Sequence, residues 1–215
     1  MKKTHLAGAM SLLLLATAAQ AAPLSTELKV GGELSPKGAC TVQLGSGGIV
    51  DLGKIKAGSV GDELETPLQA SQVAFHISCE KETRVTYTIA DNKQGSESKP
   101  GQNNFGFGNV NGSGKLGYYT IKAIQGTVDN SITMLFNSMN NNGQAPVSMP
   151  MMTLEKEKYH GWLAPGSNVR VASGKDYKIN FWIQPMMGSK KDMNGPLTED
   201  TALDGSATIN LFYSI

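Results

Sequence analysis

Cys40 and Cys79 are the only cysteines in this 215-residue chain, and each lies in a segment whose apolar and polar side chains alternate with a period of two. That period is the pattern of a half-buried β-strand. Cys40, Val42 and Leu44 share one face of the first segment; Val73, Phe75, Ile77 and Cys79 share one face of the second. A disulfide joining the two strands is the natural reading. A zinc site would lack ligands, because His76 is the only histidine nearby, and a redox pair would need its cysteines close in sequence. His76 itself falls on the opposite face, as a solvent-facing or cross-strand residue. Closing this loop restricts the unfolded chain by about 4 kcal/mol in the entropic picture. The bond requires an oxidising compartment.

The N-terminus supplies an expectation about that compartment. Lys2 and Lys3 precede an apolar run over residues 6–18, and Ala19-Gln20-Ala21 has the form of a cleavage site. Residues 1–21 thus read as a secretory signal peptide, too short and wrongly flanked for a membrane span. The leader holds Lys2 and Lys3 but no acid, so of 19 Lys+Arg and 18 Asp+Glu the mature chain keeps one more acid than base. Such a balance offers no basic field for nucleic acid. The remaining length suits one all-β domain over residues 39–215, preceded by an N-terminal segment over residues 22–38.

Along that segment Leu24, Thr26, Leu28 and Val30 face one way on an extended strand. Taken alone, it is an ordinary first strand of a sandwich. After Cys40 the sequence predicts a short strand over residues 49–55 with Gly53 as a bulge, then strands at residues 73–79 and 84–90. Residues 91–117 hold seven glycines and few apolar residues, and read as a long surface loop with a short hairpin around Phe105 and Phe107. Its GxG spacings lack the lysine-hydroxyl ending of a phosphate loop. Strand character resumes at residues 118–124, 132–136, 168–172 and 177–184, with Pro185 ending the last of these. Residues 153–162 form the only helix-like piece, its charges a solvated face. At the C-terminus Ala207, Ile209, Leu211, Tyr213 and Ile215 alternate on one face.

Methionines cluster at Met149, Met151 and Met152 and again at Met186, Met187 and Met193. Thioethers can hold cuprous copper, but methionine more often fills irregular gaps in a core. An enzyme is the weakest class: only His76 and His160 follow the leader, and neither GxSxG nor HExxH is present. No catalytic residue, metal or cofactor is expected. A free-standing secreted or periplasmic immunoglobulin-like module, binding a glycan or small ligand through Trp162, Trp182 or the Tyr118-Tyr119 pair, is a second class.

The leader, the alternating N-terminal segment, the cysteine frame with its VDLG and FHISC stretches and the terminal SATINLFYSI together resemble subunits of the chaperone–usher pilin family. The stretch FGFGNVNGSGKLGYY is similar to a fimbrial-like branch of that family in Gram-negative bacteria. The resemblance implies an immunoglobulin-like β-sandwich that lacks its last strand and carries one Cys40–Cys79 disulfide. It implies a structural subunit of a surface fimbria, assembled by donor-strand exchange. A periplasmic chaperone, an outer-membrane usher and other pilin subunits would be its partners, and its route would run through the periplasm to the cell surface. Leu24, Thr26, Leu28 and Val30 would be donor-strand positions, and Ala207, Ile209, Leu211, Tyr213 and Ile215 would form the chaperone-facing strand. Such recognition adds a strand to an open sheet edge, with main-chain bonds giving affinity and alternate side chains filling pockets.

Overall fold

The structure, a computed structural model, describes residues 39–141, 147–198 and 200–214. The expected leader over residues 1–21, the expected donor positions Leu24, Thr26, Leu28 and Val30, and the terminal Ile215 lie outside the described residues.

Fourteen strands follow one another among the described residues: β1 (Cys40–Leu44), β2 (Thr66–Pro67), β3 (Ser71–Asp91), β4 (Phe105–Gly106), β5 (Asn109–Val110), β6 (Gly114–Lys115), β7 (Gly117–Val128), β8 (Ser131–Ile132), β9 (Leu135–Ser138), β10 (Val147–Met149), β11 (Met151–Thr153), β12 (Tyr159–Trp162), β13 (Ser173–Met187) and β14 (Ala207–Tyr213). Two short 3₁₀ turns, Gly45–Gly48 and Ala57–Ser59, interrupt them, and the described residues contain no α-helix. The fold is an all-β, sandwich-like arrangement of curled antiparallel sheets.

β3 organises both layers. Its buried apolar residues keep one parity throughout, Val73, Phe75, Ile77 and Cys79 and then Val85, Tyr87 and Ile89, with the buried Thr86 on the other parity, while Glu80, Lys81, Glu82 and Arg84 between them are exposed. The two strands expected at residues 73–79 and 84–90 are therefore one strand that crosses from layer to layer through a polar stretch. Its first half pairs with β1 on one side and β13 on the other, and β13 continues to β7 and β11. Its second half pairs with β14 and β12, and β12 continues to β9 and β10. Cys40 stands directly opposite Cys79 in the β1–β3 register, and the two form the disulfide.

Between the layers, Phe75 stacks on Phe181 with ring centroids 5.0 Å apart, and Trp162 tilts against Tyr177 at 5.0 Å. Buried Trp and Tyr need partners for their polar ends. Trp162 donates to the Lys178 carbonyl at 3.3 Å, and the Tyr177 hydroxyl meets the carbonyls of Thr83 and Ala172. Burial pushes the Tyr177 phenol up to about 12.

Several local expectations give way. Residues 49–55 form no strand: Gly53 takes a φ of +64°, and its N–H is held by the Asp51 side chain at 2.8 Å, so the chain turns instead of extending. The helix-like piece is a turn running into β12, with Glu157 at φ +63°. Residues 168–172 contribute one isolated bridge, Leu163 to Val171. β13 runs through Pro185 to Met187; at Pro185 the chain uses its carbonyl, which accepts from the Leu68 N–H at 3.0 Å, and no donor is missed. The glycine-rich stretch is no mere surface loop, because Phe105, Phe107 and Leu116 join the core. Gly114 and Gly117 are required there: a Cβ at either would lie 2.2 Å from a backbone oxygen, of Met193 and Met186 respectively.

Candidate functional site

Each layer ends, on one side of the molecule, in a strand paired along a single edge among the described residues: β1 with β3, and β14 with β3. A cleft of about 730 Å³ lies where these edges face each other. Val73, Ile89, Ile121, Phe181 and Ile183 contribute to its lining from the strands. Leu44 of β1 borders it from one layer, and Ala207 and Ile209 of β14 from the other.

The cleft is bounded at both ends. Near the disulfide, the Cys40 N–H donates to the Tyr213 hydroxyl at 3.3 Å, bringing β1 and β14 together. At the opposite end, Phe107 and Tyr119 face Gly205, where a Cβ would come within 2.8 Å of both rings. Only a glycine lets the chain pass so close to them before β14 begins. The Asp204 N–H fastens this corner to the Phe107 carbonyl at 3.1 Å.

Two segments without strand structure add apolar side chains to the lining: Leu52 and Ile55 from one, Leu197 and Leu203 from the other, all half-buried against the core. Their apolar spacing is the signal that suggested a strand at residues 49–55; the spacing serves the cleft. Lys54 and Asp200 join these segments by an ion pair of 3.6 Å with both side chains almost wholly exposed, a kind of pair worth about 0–1 kcal/mol.

Of the expected terminal-strand residues, Ala207, Ile209 and Leu211 are half-buried and packed on the core. Tyr213 is 45% exposed and is tied to the cleft's end through its hydroxyl. Phe212, on the other parity, is half-buried and packs edge-on against Tyr159 at 5.2 Å. The alternation is thus clean over the first part of β14 and lost at its end.

The expected ligand-binding aromatics are placed otherwise. Trp162 is fully buried, and Tyr118 and Tyr119 are each 7% exposed, so none offers a flat surface; Trp182 is 38% exposed on an outer face. His76 is a cross-strand residue, 2.7 Å from Asp176, whose carboxyl is lowered first by Lys178 and then by His76. His160 is buried, with its pKa lowered to about 4 by desolvation. Met152, Met187 and Met193 fill the core, whereas Met149 and Met151 are exposed. Among the described residues no three His, Cys, Asp or Glu side chains are grouped to hold a metal. No helix among them is long and apolar enough to cross a membrane.

The expected solvated face around residues 153–162 holds for Glu157, with Glu155 and Lys158 partly exposed, and fails at Lys156. Lys156 is 8% exposed and sits against Asp91 and Glu97, 65 and 59 residues earlier in the chain, which no local pattern could have indicated.

Residues 28–112 match a family described as protein of unknown function, DUF1120. The match spans the cysteine frame, all of β3 and the glycine-rich stretch as far as β5, and stops before β14. No curated protein matches the chain.

Proposed function

We propose that the protein is a structural subunit of a fimbria-like surface fibre, held by a periplasmic chaperone and then assembled by donor-strand exchange. The observation that carries this reading is the apolar cleft between β1 and β14, where two sheet edges and a row of half-buried aliphatic side chains meet. An inserted strand would pair with an edge through its backbone and place alternate side chains among Val73, Ile89, Ile183 and Ile209. Leu24, Thr26, Leu28 and Val30 have that alternation, and the donor would be this segment of a neighbouring subunit. An open apolar edge invites aggregation, which gives a chaperone its task before an outer-membrane usher passes the subunit on. The leader and the disulfide agree with a route through the periplasm to the surface.

Co-purification from the periplasm with the cognate chaperone tests this. Ile209→Asp puts a charge among the cleft residues, while Asn210→Asp changes an exposed neighbour on the same strand. The first should lose the chaperone and the second should keep it. Equal capture of both variants as folded proteins would remove β14 from the recognition edge.

A further inference from the structure

At the base of the glycine-rich stretch, three charged groups are held away from solvent. The side chain of Asp91 is 0% exposed, and those of Glu97 and Lys156 are each 9% exposed. Lys156 Nζ lies 3.8 Å from Asp91 Oδ2 and 3.4 Å from Glu97 Oε1. It also donates to the Asn104 carbonyl at 2.8 Å and sits 5.9 Å from the centre of the Phe105 ring. Backbone donors fix both carboxylates. The Lys93 N–H reaches Asp91 Oδ1 at 2.9 Å, the Gly106 N–H reaches Asp91 Oδ2 at 3.0 Å, and the Gly95 N–H reaches Glu97 Oε2 at 2.7 Å.

Removing ions from water is costly even when they are paired. An amine and a carboxyl group in contact can relieve that cost by condensing, since one neutral amide replaces two buried charges. Holding the two groups together also removes the entropic barrier that makes the same reaction slow between free molecules. The role of Glu97 follows from its place beside Nζ, as a proton acceptor and donor in the same site.

We propose that Lys156 and Asp91 are joined by an intramolecular amide bond, formed by the folded protein itself. The lysine ammonium gives one proton to Glu97, which delivers it to a carboxyl oxygen of Asp91. Nζ then attacks Asp91 Cγ; the oxyanion develops on Oδ1, held by the Lys93 N–H, while the Gly106 N–H stays on Oδ2, the oxygen that carries the proton and departs. Glu97 carries a second Nζ proton to the same departing oxygen, which leaves as water. Ammonium plus carboxylate becomes amide plus water, with Glu97 restored and no oxidant or cofactor consumed. The bond fastens the end of β3 to the connection between β11 and β12, and its N–H faces Glu97.

Peptide mapping by mass spectrometry of the folded protein, digested with trypsin after reduction and alkylation, tests the proposal. Residues 85–93 and 123–158 should be recovered as one branched peptide, lighter than the two together by one water, because acylated Lys156 is no longer cleaved. Recovery of the two regions as separate peptides at full mass would overturn the bond. So would a branch onto the fragment carrying Glu97, or a water deficit confined to residues 85–93 alone. Asp91→Asn should still join but release ammonia, and Asp91→Ala should not join. In Glu97→Gln, joining should slow by about 10²-fold or more; an unchanged rate would remove Glu97 from the chemistry.

Discussion

Among the described residues, the space between the two layers is finished in one half and open in the other. In the first half, rings meet rings: Phe75, Tyr87, Trp162 and Tyr177 are at most 1% exposed, and β12 closes the layer over them. In the second, Leu44, Ile183, Ala207, Ile209 and Leu211 are only half-buried, although their chemistry is equally apolar. What differs, among the described residues, is whether a strand covers them. The half-buried residues are not poor core formers; Leu44, Ile183, Ala207 and Ile209 line the cleft between β1 and β14. Apolar area left in such a row stabilises the protein only when something is laid against it.

The largest effect should come from breaking the closed half. Trp162→Ala removes the fully buried ring between Phe75, Tyr87 and Tyr177. Such a change costs about 3–5 kcal/mol, read as a lowered midpoint in urea unfolding.

Next comes the link between β1 and β3. Replacing both Cys40 and Cys79 by Ser should cost about 2–5 kcal/mol, with the β1 edge loosening most. Alkylation of the native protein before reduction should find no free thiol.

The pH dependence sharpens the same contrast, because His160 belongs to the closed half, packed on Tyr87 at 5.6 Å. Its folded pKa of about 4 lies below the ordinary 6.5, so the unfolded chain takes up the proton first. Its contribution is therefore full above pH 6.5 and is lost as pH falls towards 4. The loss should reach roughly 3 kcal/mol, and unfolding curves of His160→Gln should lack this slope.

The smallest effect belongs to the open half. Ile209→Ala in the isolated protein should cost roughly 1 kcal/mol, well below the value for a fully buried isoleucine. With a strand bound in the cleft the cost should rise towards the buried range. An equal cost in both states would mean that Ile209 belongs to a core already complete.

The long strands were legible in the sequence because their alternation is local: residues of β3, β7, β13 and β14 carry the period of two in their own order. So was the disulfide. What escaped depends on partners far away in the chain. Residues 49–55 have strand-like composition, but a positive φ at Gly53 turns them into a border of the cleft. Lys156 looks like one of several surface charges until Asp91, Glu97 and Asn104 are brought to it. Pro185 looks like a terminator, but its carbonyl carries the bonding at that position. The cleft is a further step removed, since each wall comes from a different layer.

The central claim is that the strand filling this cleft comes from another copy of the chain, and one measurement addresses it directly. Light and isotopically heavy subunits, each carrying a photo-crosslinking residue in place of Leu28, would be assembled together and irradiated. Crosslinks from position 28 should reach the cleft around Val73, Ile89 and Ile209, and they should include light–heavy pairs in the proportion that random mixing gives. Crosslinks to the same residues found solely within light or within heavy chains would contradict the account, because the segment would then complete its own sheet.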